Sequence, residues 1–465
     1  MRICLILEGS YPYTFGGVSS WMHNYIKAMP QHEFVLWVIG AKSADRGVFK
    51  YELPENVSEI HEVFLDEALT IKANKRDRFK LNDAEKETLK KFIDCEKPDW
   101  DILFDMFQSK NYNPASFLMS ENFLDVLTDL CREKYPYVAF ADTFHTIRSM
   151  LLPVLHIIKS KVPEAEVYHT ICTGYGGLLA ALAHYVTGKH VILTEHGIYS
   201  REREEEIIRA RWVTPAFKRH WIRFFYMLSD AIYKRATFIT CLFGNAGKIQ
   251  MELGAAPEKC KVIPNGIHYD KFCDIPLKEE DGYVDIAAVI RLAPIKDVKT
   301  LIYAFNELCG MRKNARLHIL GGTDDEEYAK ECYDLVKSLG LKDVLFVGQV
   351  NVIEYMRKID FTILTSISEG QPLSVLESFA ARRPAVTTDV GCCRQLIDGE
   401  EGDFFGTAGF CVPPMHREGL ANAMDKLCHS RELREEMGEI GRMRVEKYFK
   451  HPDMIKRYAS LYEGI

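Results

Sequence analysis

Glu369-Gly370-Gln371-Pro372-Leu373-Ser374-Val375-Leu376-Glu377 follows the strand-like run Phe361-Thr362-Ile363-Leu364-Thr365-Ser366 and opens a helix. The helix is expected to start near Pro372, because a proline in the first helical turn lacks only an N–H that would have no partner there. Glu369 then lies in the loop at the helix mouth and Glu377 on the helix body. At ~1.5 Å rise per residue their backbones are roughly 12 Å apart. A helix N-terminus lies between them, and such a terminus attracts phosphate. The spacing suits a ligand with a hydroxyl-rich ring at each end and a pyrophosphate in the middle, the shape of a nucleotide-sugar. Paired carboxylates also serve glycoside hydrolases, but there they stand ~5–9.5 Å apart across a single bond. A Gly-Gln-Pro turn opening a helix fits phosphate better. The bland alternative is a solvated helix glutamate and a cap.

The same strand-then-helix rhythm runs through the chain. Strand-like runs occur at Ile3–Leu7, Phe34–Ile39, Val167–Thr170, Val191–Thr194, Phe238–Leu242 and Lys261–Ile263. A second series follows at Val284–Ile290, Leu317–Leu320, Val344–Val347, Phe361–Ser366 and Ala385–Thr388. Alternation of this kind predicts an α/β fold, parallel sheets with helices on both faces. A chain of 465 residues exceeds one ordinary core, so two doubly wound, Rossmann-like domains are expected. We assign residues 1–275 to the first and 282–445 to the second, with a polar linker over Tyr269–Gly282. Residues 446–465 are expected to form a terminal helix packing back on the first domain. The charged, helical stretch over about 64–160 reads as an inserted helical subdomain. Ligands of parallel sheets bind outside the carboxyl ends of the strands, so two such domains would hold theirs in the cleft between them.

Apolar residues make up 47% of the chain and charged residues 27%, as in soluble globular proteins. A net charge of −7 gives no sign of nucleic-acid binding. The 13 cysteines form no CxxC pair and no metal-ligand spacing, a reduced, cytoplasmic pattern. Met1–Glu8 is too short in its apolar run for a signal peptide. Val167–Gly188 lacks Asp, Glu, Lys and Arg and nearly reaches membrane-spanning length. Gly174-Tyr175-Gly176-Gly177 interrupts it, and we read it as strand, turn and buried helix.

Other candidate residues sit at strand ends. Val289-Ile290-Arg291-Leu292-Ala293-Pro294-Ile295-Lys296-Asp297 closes the first strand of the second domain. Arg291 offers a planar fork for phosphate oxygens and Lys296 a mobile point charge. Cations aimed at a departing diphosphate would stabilise the charge that develops there. Thr194-Glu195-His196-Gly197 ends a strand of the first domain, where His196 can meet a sugar hydroxyl or the reacting centre, or serve as a satisfied core histidine. Gly16-Gly17 permits close backbone approach at a helix start. Gly321-Gly322 is a turn first and a ligand contact second. Pro264-Asn265-Gly266-Ile267-His268 closes the first series of strands and helices. Arg209 to Arg235 holds seven Lys/Arg against one acid, interleaved with aromatics, and reads as a core-facing helix with solvated basic residues rather than a membrane or partner dock.

Glu369-x7-Glu377, Arg291 with Lys296, Pro264-Asn265-Gly266 and the Gly16-Gly17 loop together resemble a retaining glycosyltransferase of family 4 with the GT-B fold. Glu8-Gly9-Ser10-Tyr11-Pro12 continuing to Gly16-Gly17-Val18-Ser19-Ser20-Trp21, and Thr194–Tyr199 continuing to Arg201-Glu202-Arg203, are similar to the PelF-type branch that serves Pel exopolysaccharide synthesis. The resemblance implies that Glu369 holds donor-sugar hydroxyls and that Gly370, Gln371, Pro372 and Leu373 run beside the phosphates. Glu377 would bind the ribose, Arg291 and Lys296 the diphosphate, and His196 the sugar or reaction centre. His196, Glu369, Arg291 and Lys296 are thus the expected catalytic set. Gly16, Gly17, Asn265 and Gly348 are expected donor contacts. No metal and no cofactor are implied, since the UDP-sugar is itself the substrate. The expected partners are that donor, a polysaccharide acceptor and inner-membrane Pel synthesis and export proteins, which would place the chain in the cytoplasm, at the inner face of the membrane through those partners. Asp297 departs from the pattern, because many relatives carry glycine after the lysine. Two other readings share parts of this evidence. A nucleotide-sugar 2-epimerase would turn over donor without acceptor, and a nucleotide-sugar-sensing subunit would bind without turnover.

Overall fold

The computed structural model describes residues 1–465. The chain divides into two units, Met1–Val262 with Ser460–Ile465, and Ile263–Ala459. In the first, seven parallel strands are β1 (Arg2–Glu8), β2 (Glu33–Gly40), β3 (Val57–Phe64), β4 (Val167–Thr170), β5 (His190–Glu195), β6 (Phe238–Cys241) and β7 (Cys260–Val262). Their order in the sheet is β3-β2-β1-β4-β5-β6-β7. The central strands are continuous apolar runs because both faces are covered by helices. Ile3 to Leu7 are fully buried in β1.

Val167–Gly188 is a buried strand, a turn and the helix Tyr175–Thr187, in which Gly176 to Ala183 are all buried. The helix stops at Gly188, whose φ of +66° is the left-handed C-terminal position that glycine fills without strain. Helices dominate residues 64–160, but they do not form a separate subdomain. Phe92, Trp100, Phe104, Phe123, Met150 and Leu151 share one hydrophobic core with Trp37, Tyr168 and Leu193 of the sheet. The basic, aromatic helix Lys218–Arg235 buries Phe224, Phe225, Met227 and Leu228.

The second unit holds β8 (Val284–Val289), β9 (Ala315–Leu320), β10 (Val344–Gly348), β11 (Phe361–Leu364), β12 (Ala385–Thr388) and β13 (Gly409–Val412). All six are parallel, in the order β10-β9-β8-β11-β12-β13. The expected linker over Tyr269–Gly282 belongs to this unit instead. The buried Arg383 guanidinium donates to Ile275 O (3.4 Å) and Pro276 O (2.6 Å), and Lys278 pairs with Asp285 (2.6 Å) and Asp360 (3.3 Å). These bonds move the boundary to Val262/Ile263. The terminal assignment also changes. Residues 446–459 stay with the second unit and only Ser460–Ile465 group with the first, where Tyr462 Oη meets Tyr25 Oη (2.7 Å) and His169 Nδ1 (2.6 Å). Within the second unit, helix Arg431–Tyr448 packs so closely on helix Leu373–Ala380 that a Cβ at Gly441 would lie 2.8 Å from the Phe379 ring. That packing fixes the helix that carries Glu377.

Candidate functional site

After β11 the chain turns through Thr365–Pro372 into helix Leu373–Ala380. Pro372 is the residue before the helix (φ −73°, ψ 113°), one position earlier than the first helical turn, and no side chain caps the helix start. The first amides of a helix have no intrahelical acceptor, so this terminus is open to an anion. At its mouth Lys296 Nζ pairs with Glu369 Oε1, and Ser366 Oγ donates to the same oxygen. The side chains of Lys296 and Glu369 are 19% and 13% exposed, so little water screens the pair. The ammonium keeps two further donors, and Glu369 keeps its second oxygen for hydroxyls.

Both loops are tied down. Thr365 Oγ1 donates to Lys296 O (3.0 Å), and Ile367 N to Ile295 O (2.9 Å). Asp297 has φ 48° and ψ 49°, the left-handed conformation that glycine adopts most easily. The turn after Lys296 therefore has the geometry a glycine would give it, although the residue is aspartate. On the other side Gly391 (φ +55°) passes under the Glu369 loop. A Cβ there would lie 2.2 Å from Gly370 O and 2.3 Å from Glu369 O. Cys392 N donates to Gly370 O (3.0 Å), and Asn265 N to Gln371 Oε1 (2.6 Å). Ser366 and Gly391 escaped the sequence reading. A glycine just past a strand end, Val390-Gly391-Cys392, was the only available signal for the second.

Glu377 lies part-buried in the second turn of the helix without an ion-pair partner. Burial pushes its carboxyl up to about 7. The structure thus brings Lys296, Glu369, Gly370, Gln371 and Asn265 into one bonded group. Arg291 stands outside that group. Its Nη1 pairs with Asp324 Oδ2 at 2.6 Å, and its side chain is 55% exposed. Asp325 beside it caps helix Glu326–Ser338. Gly348 (φ +78°) accepts from Gly321 N (2.9 Å), and Gly321 passes so near β8 that a Cβ would meet Ile290 O at 1.9 Å.

In the first unit His196 follows β5. Its ring meets Trp21 edge-on (4.5 Å between centroids, 77°), Nε2 has no hydrogen-bond partner, and burial lowers its pKa to about 4. It is therefore a neutral imidazole at physiological pH. Its neighbour Glu195 accepts from Tyr233 Oη (2.8 Å) and Gln250 Nε2 (2.9 Å) and is raised to about 7 because burial outweighs those bonds. Gly16 and Gly17 open helix Gly17–Lys27 with no side-chain cap, and a Cβ at either would meet nothing within 4 Å. No group of three or more His, Cys, Asp or Glu side chains is placed to hold a metal ion. No helix is long and apolar enough to cross a membrane.

Residues 1–258 match the family described as Domain of unknown function (DUF3492), and residues 274–444 match Glycosyl transferases group 1. The MMP alpha-(1->4)-mannosyltransferase of Mycolicibacterium hassiacum is 23% identical over 68% of this chain and 74% of its own length. The N-acetyl-alpha-D-glucosaminyl L-malate synthase of Bacillus anthracis is 28% identical over 41% of this chain and 49% of its own. Among solved structures, Anabaena HepE in complex with UDP and glucose aligns over the full length of both chains, with a TM-score of 0.62 at 13% identity. Sucrose-phosphate synthase of Thermosynechococcus elongatus aligns over 100% of this chain and 98% of its own, with a TM-score of 0.61 at 15% identity.

Proposed function

We propose, for a chain that belongs to the DUF3492 family and carries a group 1 glycosyl transferase domain on a GT-B fold, that it moves a hexosyl or N-acetylhexosaminyl unit from a UDP-sugar to a growing polysaccharide. The observation that carries this is the Lys296–Glu369 pair at the open mouth of helix Leu373–Ala380. There the helix amides and the remaining ammonium donors would take the diphosphate, and the free oxygen of Glu369 the sugar hydroxyls. Glu377 would accept from the ribose. Arg291 would have to exchange Asp324 for phosphate as donor enters. Support also comes from relatives that are a mannosyltransferase and a glucosaminyl-malate synthase, and from a fold neighbour solved with UDP and glucose.

The finer reading is a metal-independent, configuration-retaining transferase of Pel-type exopolysaccharide synthesis, working with inner-membrane partners. No side chain of the second-unit site is placed as a nucleophile, so the departing phosphate would help deprotonate the acceptor. Calorimetry against UDP, UDP-glucose, UDP-GlcNAc and UDP-GalNAc, followed by product analysis with the best binder, tests the whole reading. Binding of UDP and one UDP-sugar, with an anomeric configuration kept in the product, is expected. A protein that binds none of them sinks it, and a new UDP-sugar formed from donor alone would replace it with the epimerase.

A further inference from the structure

We propose that the segment joining helices Tyr199–Arg209 and Lys218–Arg235 docks the first unit directly on a lipid surface with anionic headgroups. The second helix buries Phe224 and Phe225, but the segment before it turns apolar side chains outward. Val213 and Phe217 are buried and pin the chain, whereas Trp212 is 67% exposed and Ile208 57%. Trp212 rests edge-on against Trp221 (5.5 Å between centroids, 80°), and Lys218 Nζ donates to Ile208 O (2.5 Å). Both therefore lie beside the first turns of the second helix. Tyr135 packs on Phe217 there (5.1 Å between centroids), and Tyr137, two residues on, is 99% exposed. Single exposed apolar residues are ordinary, but three round one helix start form a patch.

Cations surround the patch. Between Ile207 and Ser229 the chain has no Asp or Glu but carries Arg209, Arg211, Lys218, Arg219 and Arg223, although its net charge is −7. Arg211 and Arg219 are exposed and pair with no acid, and Lys218 bonds only to Ile208 O. The acids beside these positions are taken by other cations. Glu205 faces Arg209 (3.9 Å), Asp94 pairs with Lys134 and Glu96 with Arg223 (3.2 Å), so that only Glu133 is left without a cation.

The chemistry selects the partner. Trp and Tyr concentrate at the headgroup level of bilayers, because each joins an apolar ring to one polar tip. Arg and Lys lay their stems along apolar surface and keep the charge at the headgroups. A nucleic acid offers phosphates but no apolar layer for Ile208 and Trp212. An anionic bilayer surface supplies both. The same surface repels the acidic remainder of the chain, so the patch also sets which face meets the lipid. This docking needs no partner protein and does not depend on the transferase reading.

The full chain is sedimented with vesicles of phosphatidylcholine alone and of an equal mixture of phosphatidylcholine and phosphatidylglycerol. Wild type is expected on the mixed vesicles and not on the neutral ones, and to be released as salt rises from about 0.1 M to about 0.5 M. Each cation near such a surface is worth roughly fivefold, so Arg211→Gln with Arg219→Gln should bind about 10- to 30-fold more weakly. Trp212→Ser should bind about threefold to tenfold more weakly. All three side chains are exposed, and unchanged circular dichroism and urea midpoints check that the variants fold. Brominated lipid should quench the fluorescence of wild type and leave that of Trp212→Ser nearly untouched, because Trp21, Trp37 and Trp100 are buried. Equal binding to both vesicle types, no binding to either, or variants that bind as well as wild type would overturn the proposal. Binding to a single-stranded RNA homopolymer with none to vesicles would overturn it in favour of nucleic acid.

Discussion

The strand ends of the second unit carry a shielded ion pair, whereas those of the first carry an unpaired imidazole and a carboxylate held by neutral donors. Glu369 is held by Lys296 and Ser366, Gln371 by Asn265, and Arg291 by Asp324. Buried polar atoms without a partner occur in both, at Ser10, His196, Ser200 and Arg203 of the first unit and at Asn265 and Asp297 of the second. The charges differ as well, with a shielded ion pair in one unit and an imidazole kept neutral down to about 4 in the other. A site of opposed charges, prearranged around an uncapped helix, stabilises charge that develops during a reaction.

The largest expected effect breaks the charged rim. Lys296→Ala leaves the Glu369 carboxylate buried without its cation and removes the ammonium from the anion site. Transfer is expected to fall by roughly 100- to 1000-fold, the usual range for losing one electrostatic stabiliser. Circular dichroism should stay unchanged. Initial rates with the best UDP-sugar decide it, and a loss under about threefold would take Lys296 out of the chemistry.

Next comes the support under Glu369. Gly391→Ala puts a Cβ about 2 Å from two backbone oxygens at a residue with φ +55°, and backbone cannot yield as a side-chain tip can. Left-handed strain and overlap together should cost about 2–4 kcal/mol. Gly16→Ala is its counterpart in the first unit. There φ is 171° and nothing lies within 4 Å, so urea unfolding should shift by less than about 0.5 kcal/mol. If Gly16→Ala nevertheless impairs catalysis, its glycine is needed by a ligand rather than by the fold.

How far the sequence disclosed these rims follows from the range of the interactions. Strands covered on both faces are apolar runs and could be read directly, as with Ile3–Leu7 or Ala385–Thr388. The two unread strands, β3 and β13, lie at sheet edges. There Val57-Ser58-Glu59-Ile60-His61-Glu62-Val63-Phe64 can carry charge, and Gly409–Val412 is only four residues long. The helix mouth of Glu369 and Glu377 is local in sequence and was legible. The partners that tune it were not, because Lys296–Glu369 spans 73 positions, and Arg291's ion pair with Asp324 leaves no local mark. Glu8 is the extreme case: its bonds to Gly176 and Tyr199 span 168 and 191 positions.

A smaller effect tests Glu377. Burial raises its carboxyl to about 7, whereas hydrogen bonds from ribose hydroxyls would favour the ionised form. Binding then expels a proton below that value, so affinity should rise with pH through about 7 and level off above it. Between pH 6 and pH 8 the gain is roughly tenfold for a one-unit excess of protonation. Uridine is the right probe because it lacks phosphates that titrate nearby. Glu377→Gln should flatten the profile, and an unchanged slope in that variant would assign the pH dependence elsewhere.

The smallest effect concerns Asp297, where glycine geometry is occupied by aspartate. Its left-handed backbone costs an L-residue about 1–2 kcal/mol, less for aspartate than for most. Against that stands a weak cap, Oδ1 accepting from Thr300 N at 3.4 Å, and glycine replaces aspartate caps at a cost of only a few tenths of a kcal/mol. Oδ2 is buried without a partner, and removing it relieves desolvation. Asp297→Gly should therefore stabilise the second unit by about 0.5–1 kcal/mol, read as a higher urea midpoint for the transition that UDP shifts. Transfer should change less than about twofold, because Thr365 still holds the carbonyls of residues 296 and 297. A destabilised variant would mean that the Asp297 carboxylate does more for the Lys296 turn than its long bond to Thr300 suggests, and the second unit's rim would then depend on a third acid.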